Sequence, residues 1–165
     1  MKLGKGVEWA AHTCALLALL PPKATLPGDS LADFLGIPSP YLAKQLQAMS
    51  RAGIVAAKRG ASGGYRLQKP AESISLWDIT ASIEGTAHSF RCTEVRRSGP
   101  CGAVKAECKR PCPIAATFYD AERRYRETLD SMKLTDIVSA VALEANQNRK
   151  DRIKDWVQHN AALPA

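Results

Sequence analysis

The chain has 165 residues, with 23 Lys and Arg against 16 Asp and Glu, five cysteines and an ordinary hydrophobic content. This length supports a buried core without covalent staples, and an odd cysteine count in a chain of this character argues against a disulfide scaffold. The apolar run Ala15 to Leu20 is too short to span a membrane, Glu8 and His12 interrupt what precedes it, and no clear small-residue cleavage site follows, so a soluble cytoplasmic protein with no membrane association is expected.

The net charge of +7 is unevenly spread. Residues 1–70 hold nine Lys and Arg and three Asp and Glu, a net of +6, and residues 71–165 hold fourteen against thirteen, a net of +1. A basic module joined to a nearly neutral half suits polyanion binding, with a merely basic soluble domain as the alternative.

In chain order, the first element is a helix from about Lys5 to Leu20, with Val7, Ala10, Ala11, Cys14, Leu17 and Leu20 as its apolar stripe and Pro21 and Pro22 as its stop. Glu8 and His12 are four apart and share one face, with Trp9 beside them. Ser30 is expected to cap a short helix over Leu31 to Leu35 that Gly36 ends. Ile37 and Pro38 make a turn, and Ser39 caps a second helix with Pro40 at its first position. Leu42, Leu46 and Met49 form the apolar face of that helix and Gly53 stops it, so the pair reads as a helix-turn-helix. Ile54 to Lys58 and Tyr65 to Gln68 read as strands joined by "RGASGG", a basic hairpin or wing.

Ser75 and Asp78 form a capping-box-like start to a short helix that runs to about Glu84 and ends at Gly85. Residues 86–111 show little apolar periodicity and read as a functional loop. Pro113 opens a long helix whose Ile114, Phe118, Ala121, Tyr125, Leu129 and Met132 are spaced 4, 3, 4, 4 and 3. That continuous stripe calls for a partner surface, either a twin helix in a homodimer or a face of its own chain. "LTDIVSAVALEA" is a further short helix, and a polar, loosely ordered tail is expected from Asn146. The expected fold is mostly α with a small β-wing: a winged helix-turn-helix over residues 1–85, a cysteine-rich loop over 86–112, a dimerisation helix and short helix over 113–144, and a tail over 145–165.

Cys14 lies on the apolar side of the first helix and reads as a small core residue. The other four cysteines, Cys92, Cys101, Cys108 and Cys112, fall within 21 residues and point to metal binding or redox sensing. Cys108 and Cys112 in "CKRPC" are local enough to bind one iron together, and Lys109 and Arg110 favour their thiolates.

The stretch "YLAKQLQAMSRAGIVAAKRGASGGYRLQKP" followed by "ISLWDI" resembles the bacterial winged-helix transcriptional regulators typified by IscR, NsrR and RsrR. The matching positions include Tyr41, Leu42, Lys44, Ala52, Gly53, Val55, Arg59, Gly60, Gly63, Gly64, Tyr65 and Leu67. The opening "GVEWA" and the "CTE" before the loop are most similar to RsrR-like redox sensors. The resemblance implies a homodimer on a partly palindromic double-stranded DNA operator, with Ser39 to Arg51 as the recognition helix. Ser39, Pro40 and Tyr41 would face DNA with Lys44 and Gln45 next to them, and Lys58, Arg59 and Arg66 on the wing would meet phosphates or the minor groove. IscR carries Glu where this chain has Ala43, so no operator sequence is transferred.

Family members resembled here offer three cysteines ahead of the long helix, and some complete the shell from the first helix of the other subunit. Cys92 matches the first and Cys112 the last, while Cys101 and Cys108 compete for the middle place. The preferred shell is a two-iron, two-sulfur cluster held by Cys108 and Cys112 of one chain and Glu8 and His12 of the other, against shells that use Cys92 or Cys101. Trp9 would then report the cluster state to the DNA-binding unit, and the expected function is a redox-sensing regulator acting as a repressor. A structural zinc site and a metal-free thiol or disulfide sensor on the same fold remain alternatives. A cysteine enzyme is disfavoured, because the other histidines, His88 and His159, lie in a loop and a tail with no triad signature.

Overall fold

The computed structural model describes residues 3–60 and 63–163, so the centre of the expected wing turn, residues 61 and 62, lies outside the described residues. The elements run α1 (Lys5–Leu17), α2 (Gly28–Leu35), α3 (Ser39–Arg51), β1 (Val55–Lys58), β2 (Gly64–Leu67), α4 (Leu76–Glu84), α5 (Pro113–Ser131), α6 (Leu134–Glu144) and α7 (Gln147–Asn160). Helix α1 stops three residues before the expected Leu20, as a helical Ala18 caps it ahead of Pro21 and Pro22. Helix α2 begins at Gly28 behind Pro27, so Ser30 sits inside its first turn and is not the cap. Gly36 ends α2 in the left-handed conformation, with φ of 64°. Helix α3 includes Ser39 and follows Pro38, with Pro40 in its first turn, where an absent N–H costs nothing.

One core holds these elements together. Ala10, Cys14 and Leu17 of α1 meet Leu31 of α2, Leu42, Leu46 and Met49 of α3, and Ile74 and Ile79 around α4. Fully burying each such large side chain contributes about 1.5–3 kcal/mol. The wing is an antiparallel pair with Val55 opposite Leu67 and Lys58 opposite Gly64. It is tied back to the body through Tyr65 and Leu26, whose backbones exchange bonds of 2.9 and 2.7 Å. Gly64 is required there, since a Cβ would lie 2.5 Å from the Leu26 carbonyl oxygen.

Helix α5 leaves the core at a fixed angle because polar groups clasp its C-terminal end. Ser75 caps α4 by accepting from the Asp78 N–H, and its hydroxyl donates to Asp130 at 2.8 Å. Leu76 N–H donates to Met132, and Leu134 N–H donates to Ile74. The α5 stripe is covered only in part: Tyr125 meets Trp77 edge-on and Leu129 is half-buried, while Ile114 is 66% and Phe118 52% exposed.

The expected loose tail is instead α7, capped by Asn146, whose side chain accepts from Arg149 N–H. Val157 is buried and Trp156 packs on Phe34 at 4.6 Å. Ala162 then exchanges two backbone hydrogen bonds with Thr25. Three well-placed apolar residues, Ile153, Trp156 and Val157, were enough to dock a helix that is otherwise polar.

Ser75→Ala removes both the cap and the Asp130 contact, and is expected to cost about 1–2 kcal/mol. The loss should show as a lower urea midpoint with an unchanged slope; an unmoved midpoint contradicts the clasp.

Candidate nucleic-acid interface and metal centre

The recognition face follows from helical arithmetic on α3. Leu42, Leu46 and Met49 point inward, leaving Pro40, Tyr41, Ala43, Lys44, Gln47 and Arg51 exposed. Ser39 is half-buried at the first turn. Gln45, expected toward DNA, departs from this face: it is 8% exposed. Its side-chain amide lies so close under Gly6 that a Cβ there would come within 2.9 Å of its oxygen. Position 45 is three residues after Leu42 and four before Met49, and so falls on the buried side. Gln47, which sequence reasoning passed over, takes the outward place. On the wing, Lys58, Arg59 and Arg66 are exposed.

Helix α1 lies directly behind this face. Trp9 meets Tyr41 edge-on, with ring centroids 6.2 Å apart and planes at 65°. Thus a residue of α1 touches the first turn of the recognition helix. On the outer side of α1, Glu8 and His12 are exposed one turn apart. Neither enters a hydrogen bond or ion pair among those found for the described residues. Cys14, on the inner side, is fully buried with its thiol 3.4 Å from the Met49 sulfur. Burial pushes that thiol up to about 12, so it is an inert core group.

The cysteine loop packs along α5 rather than into the core. Phe90 stacks on Phe118 at 4.6 Å, and Cys92 N–H reaches the Tyr119 hydroxyl at 3.5 Å. Glu122, buried at 6% exposure, is the anchor: it accepts from Arg126 at 2.6 Å and Ser89 N–H at 3.3 Å, and lies 3.1 Å from His88 Nδ1. Arg126 also donates to Thr86 and Ala87 carbonyls. Burial pushes the Glu122 carboxyl up, but Arg126, His88 and Ser89 outweigh it and hold the group below its ordinary range.

Further along, Cys92, Glu94 and Cys112 bring their ligand atoms within 4.8 Å of one another. Cys108 is outside that group, though Glu94, Cys108 and Cys112 all raise Arg96 above its ordinary value. Arg96 grips both oxygens of Glu94 at 2.5 and 2.9 Å and donates to the Arg110 carbonyl at 3.1 Å. Glu94 pairing raises Arg96 above its ordinary value and lowers the Glu94 carboxyl. Cys101 is exposed. Thiolates plus a carboxylate are a donor set that suits iron or zinc, so the residues present fit the expected kind of metal centre. Within one chain, however, the expected partners Cys108 and Cys112 are not grouped with Glu8 and His12.

A recognition helix with an open polar face, followed by a two-stranded basic wing, defines a winged-helix DNA-binding regulator. The chain belongs to the Rrf2 family, described as iron-dependent transcriptional regulators, whose model matches residues 3–140. It is 26% identical to the transcriptional regulator IscR of Vibrio vulnificus, over 92% of this chain and 85% of that one. It is 27% identical to the transcriptional repressor NsrR of Streptomyces coelicolor, over 85% and 90%. The fold matches that of T. potens IscR with a TM-score of 0.65 at 21% identity, covering 89% of this chain and 93% of that chain. These relatives place it as an Rrf2-type regulator of the IscR/NsrR group, a DNA-binding transcriptional regulator and not an enzyme. No helix among the described residues is long and apolar enough to cross a membrane.

Because Glu122 is held below its ordinary carboxylate range, its anchoring is fully present above that range and is lost as pH falls through the folded-state value. Amide exchange over residues 86–92, corrected for intrinsic rates, is expected to be slow at pH 7 and faster in acid. Glu122→Gln should be fast at both and cost about 1–3 kcal/mol, as it leaves Arg126 without its counter-charge. Equal protection in the variant contradicts the anchor.

Proposed function

We propose that the protein is a homodimeric, redox-responsive transcriptional regulator whose operator binding is controlled by an iron–sulfur cluster, of the two-iron, two-sulfur kind. Its shell comprises Cys108 and Cys112 of one protomer with the partner's Glu8 and the partner's His12. The observation that carries the reading is the position of α1: its outer face presents Glu8 and His12 without partners, and its Trp9 touches Tyr41 on the recognition helix. The exposed Ile114, Phe118 and Met132 on α5 support the dimer, and relatives named IscR and NsrR support the regulator class.

When bound, such a cluster supplies a one-electron change of charge, and histidine or carboxylate ligation raises its potential relative to an all-thiolate shell. The chain's own residues do the rest. Glu8 and His12 fix the outer face of α1 to the partner's loop. Trp9 passes any displacement of α1 to Tyr41. Ser39, Pro40, Tyr41 and Lys44, with Gln47 in the place expected for Gln45, meet base edges and phosphates in the major groove. Lys58, Arg59 and Arg66 hold flanking phosphates. Operator affinity must differ between cluster states for a switch to exist.

A second reading is favoured by one distance. Cys92 and Cys112 are near enough to join as a disulfide after a small movement. Hydrogen peroxide would oxidise the two thiols and leave as two waters, giving a metal-free thiol sensor on the same fold.

Protein purified without oxygen is expected to carry iron and a visible cluster chromophore. Glu8→Ala and His12→Ala should each change that spectrum; unchanged spectra would reject these two ligands. A colourless protein that takes up no iron on reconstitution, yet gains a Cys92–Cys112 disulfide with peroxide, selects the second reading. On operator DNA, Gln47→Ala should cost about 1–3 kcal/mol and relax specificity, and Arg59→Ala should lower the salt slope by about 1. Gln45→Ala should lower thermal stability and leave discrimination between operator and random DNA intact.

A further inference from the structure

Glu94 is a non-glycine residue held at φ of 55°, a left-handed conformation that costs energy and gathers at functional sites. What it gains is a particular aim. Its carboxylate lies within 4.8 Å of the Cys92 and Cys112 sulfurs, and its own N–H donates to Cys92 Sγ at 3.4 Å. Arg96 holds both carboxylate oxygens and ties them through the Arg110 carbonyl to the segment carrying Cys112. Each carboxylate oxygen keeps a second lone pair free to bind.

We propose that Cys92, Glu94 and Cys112 form, within a single chain, a site for one thiophilic divalent cation, with Arg96 as the positioning residue that orients Glu94 and balances the charge. Two thiolates and a carboxylate carry three negative charges, which a divalent ion and Arg96 together neutralise. In a tetrahedral site with metal–sulfur bonds of about 2.3 Å, two sulfurs stand roughly 3.8 Å apart. The sulfurs, within 4.8 Å of one another, therefore need a contraction of at most about 1 Å, within side-chain rotation in an exposed loop. Three protein donors leave a fourth position open, for water or for a further ligand. Cys112 also belongs to the cluster shell proposed above, so a single ion and the cluster exclude one another. This exclusion rests on that cluster reading, whereas the site itself does not.

The test is a titration of anaerobic, metal-free protein with Co²⁺, reading the sulfur-to-cobalt charge-transfer bands. One Co²⁺ per chain is expected, with the intensity of two thiolates. Cys92→Ser and Cys112→Ser should each halve the charge-transfer intensity or abolish binding, with far-ultraviolet circular dichroism unchanged because the loop lies outside the core. Glu94→Gln should weaken binding at least tenfold with both thiolate bands kept, and Arg96→Gln should weaken it less. Cys101→Ser, Glu8→Ala and His12→Ala should leave the titration unchanged. Absence of thiolate bands in the wild type, bands that survive in Cys92→Ser and Cys112→Ser together, or affinity unaltered in Glu94→Gln would overturn the site. Zn²⁺ added first should block cluster reconstitution from iron and sulfide in the wild type and not in Glu94→Gln. Reconstitution unimpeded by bound Zn²⁺ would overturn the exclusion. Failure of the cluster itself shows as no chromophore in the absence of any other metal, whatever the cobalt titration gives.

Discussion

Helix α1 is packed on two sides at once, and most of the functional geometry depends on that contact. Its inner residues, Ala10, Cys14 and Leu17, are buried against the recognition unit and α4. Gly6 lets the start of the helix lie down on Gln45, whose amide a side chain there would have to displace. At the same end, Gly4 N–H donates to Glu84 on α4. With the inner face committed, the 3.6-residue period dictates that Glu8 and His12 point outward and that Trp9 lies between, against Tyr41. One helix thus presents a carboxylate and an imidazole on one side and touches the first turn of α3 on the other. Packed interiors deform little, so a pull on the outer face moves the helix as a body.

The cysteine loop is built on the opposite logic. It contributes nothing to the core among the described residues, and its shape rests on two charged groups. Glu122 fixes its first residues to α5, and Arg96 joins its middle to the "CKRPC" segment. The Arg96–Glu94 pair lies at the surface, where such contacts are individually modest in energy, and only Glu122 is buried. A loop held this way can reorganise around a bound ion without unfolding the winged helix. The clasp of Ser75 on Asp130, by contrast, sets the angle at which α5 carries that loop away from the body.

Much of this was legible in the residues. The Ser75/Asp78 capping box, Gly36 at the end of α2, the inward Leu42, Leu46 and Met49, and the wing are local patterns with local causes, and each forms within one residue of where its pattern places it. Gln45 has the chemistry of a base reader, but counting from Leu42 and Met49 puts it on the buried side of α3. Helix α7 escaped notice because its apolar contacts are few and its partners, Phe34 and Thr25, lie more than a hundred residues earlier. Nothing local marks Glu94 as a neighbour of Cys112, since a turn in an unusual conformation and a bridging Arg96 bring them together. Long-range meetings of this kind have no periodic signal.

The central claim is that α1 transmits the state of the metal centre to the recognition helix through Trp9 and Tyr41. The direct measurement is operator affinity of anaerobic protein in the oxidised-cluster, reduced-cluster and cluster-free states, for the wild type and for Trp9→Ala. The account predicts affinities that differ between states in the wild type and converge in Trp9→Ala, with the cluster spectrum retained. A variant that keeps its spectrum and the full wild-type difference between states would contradict it.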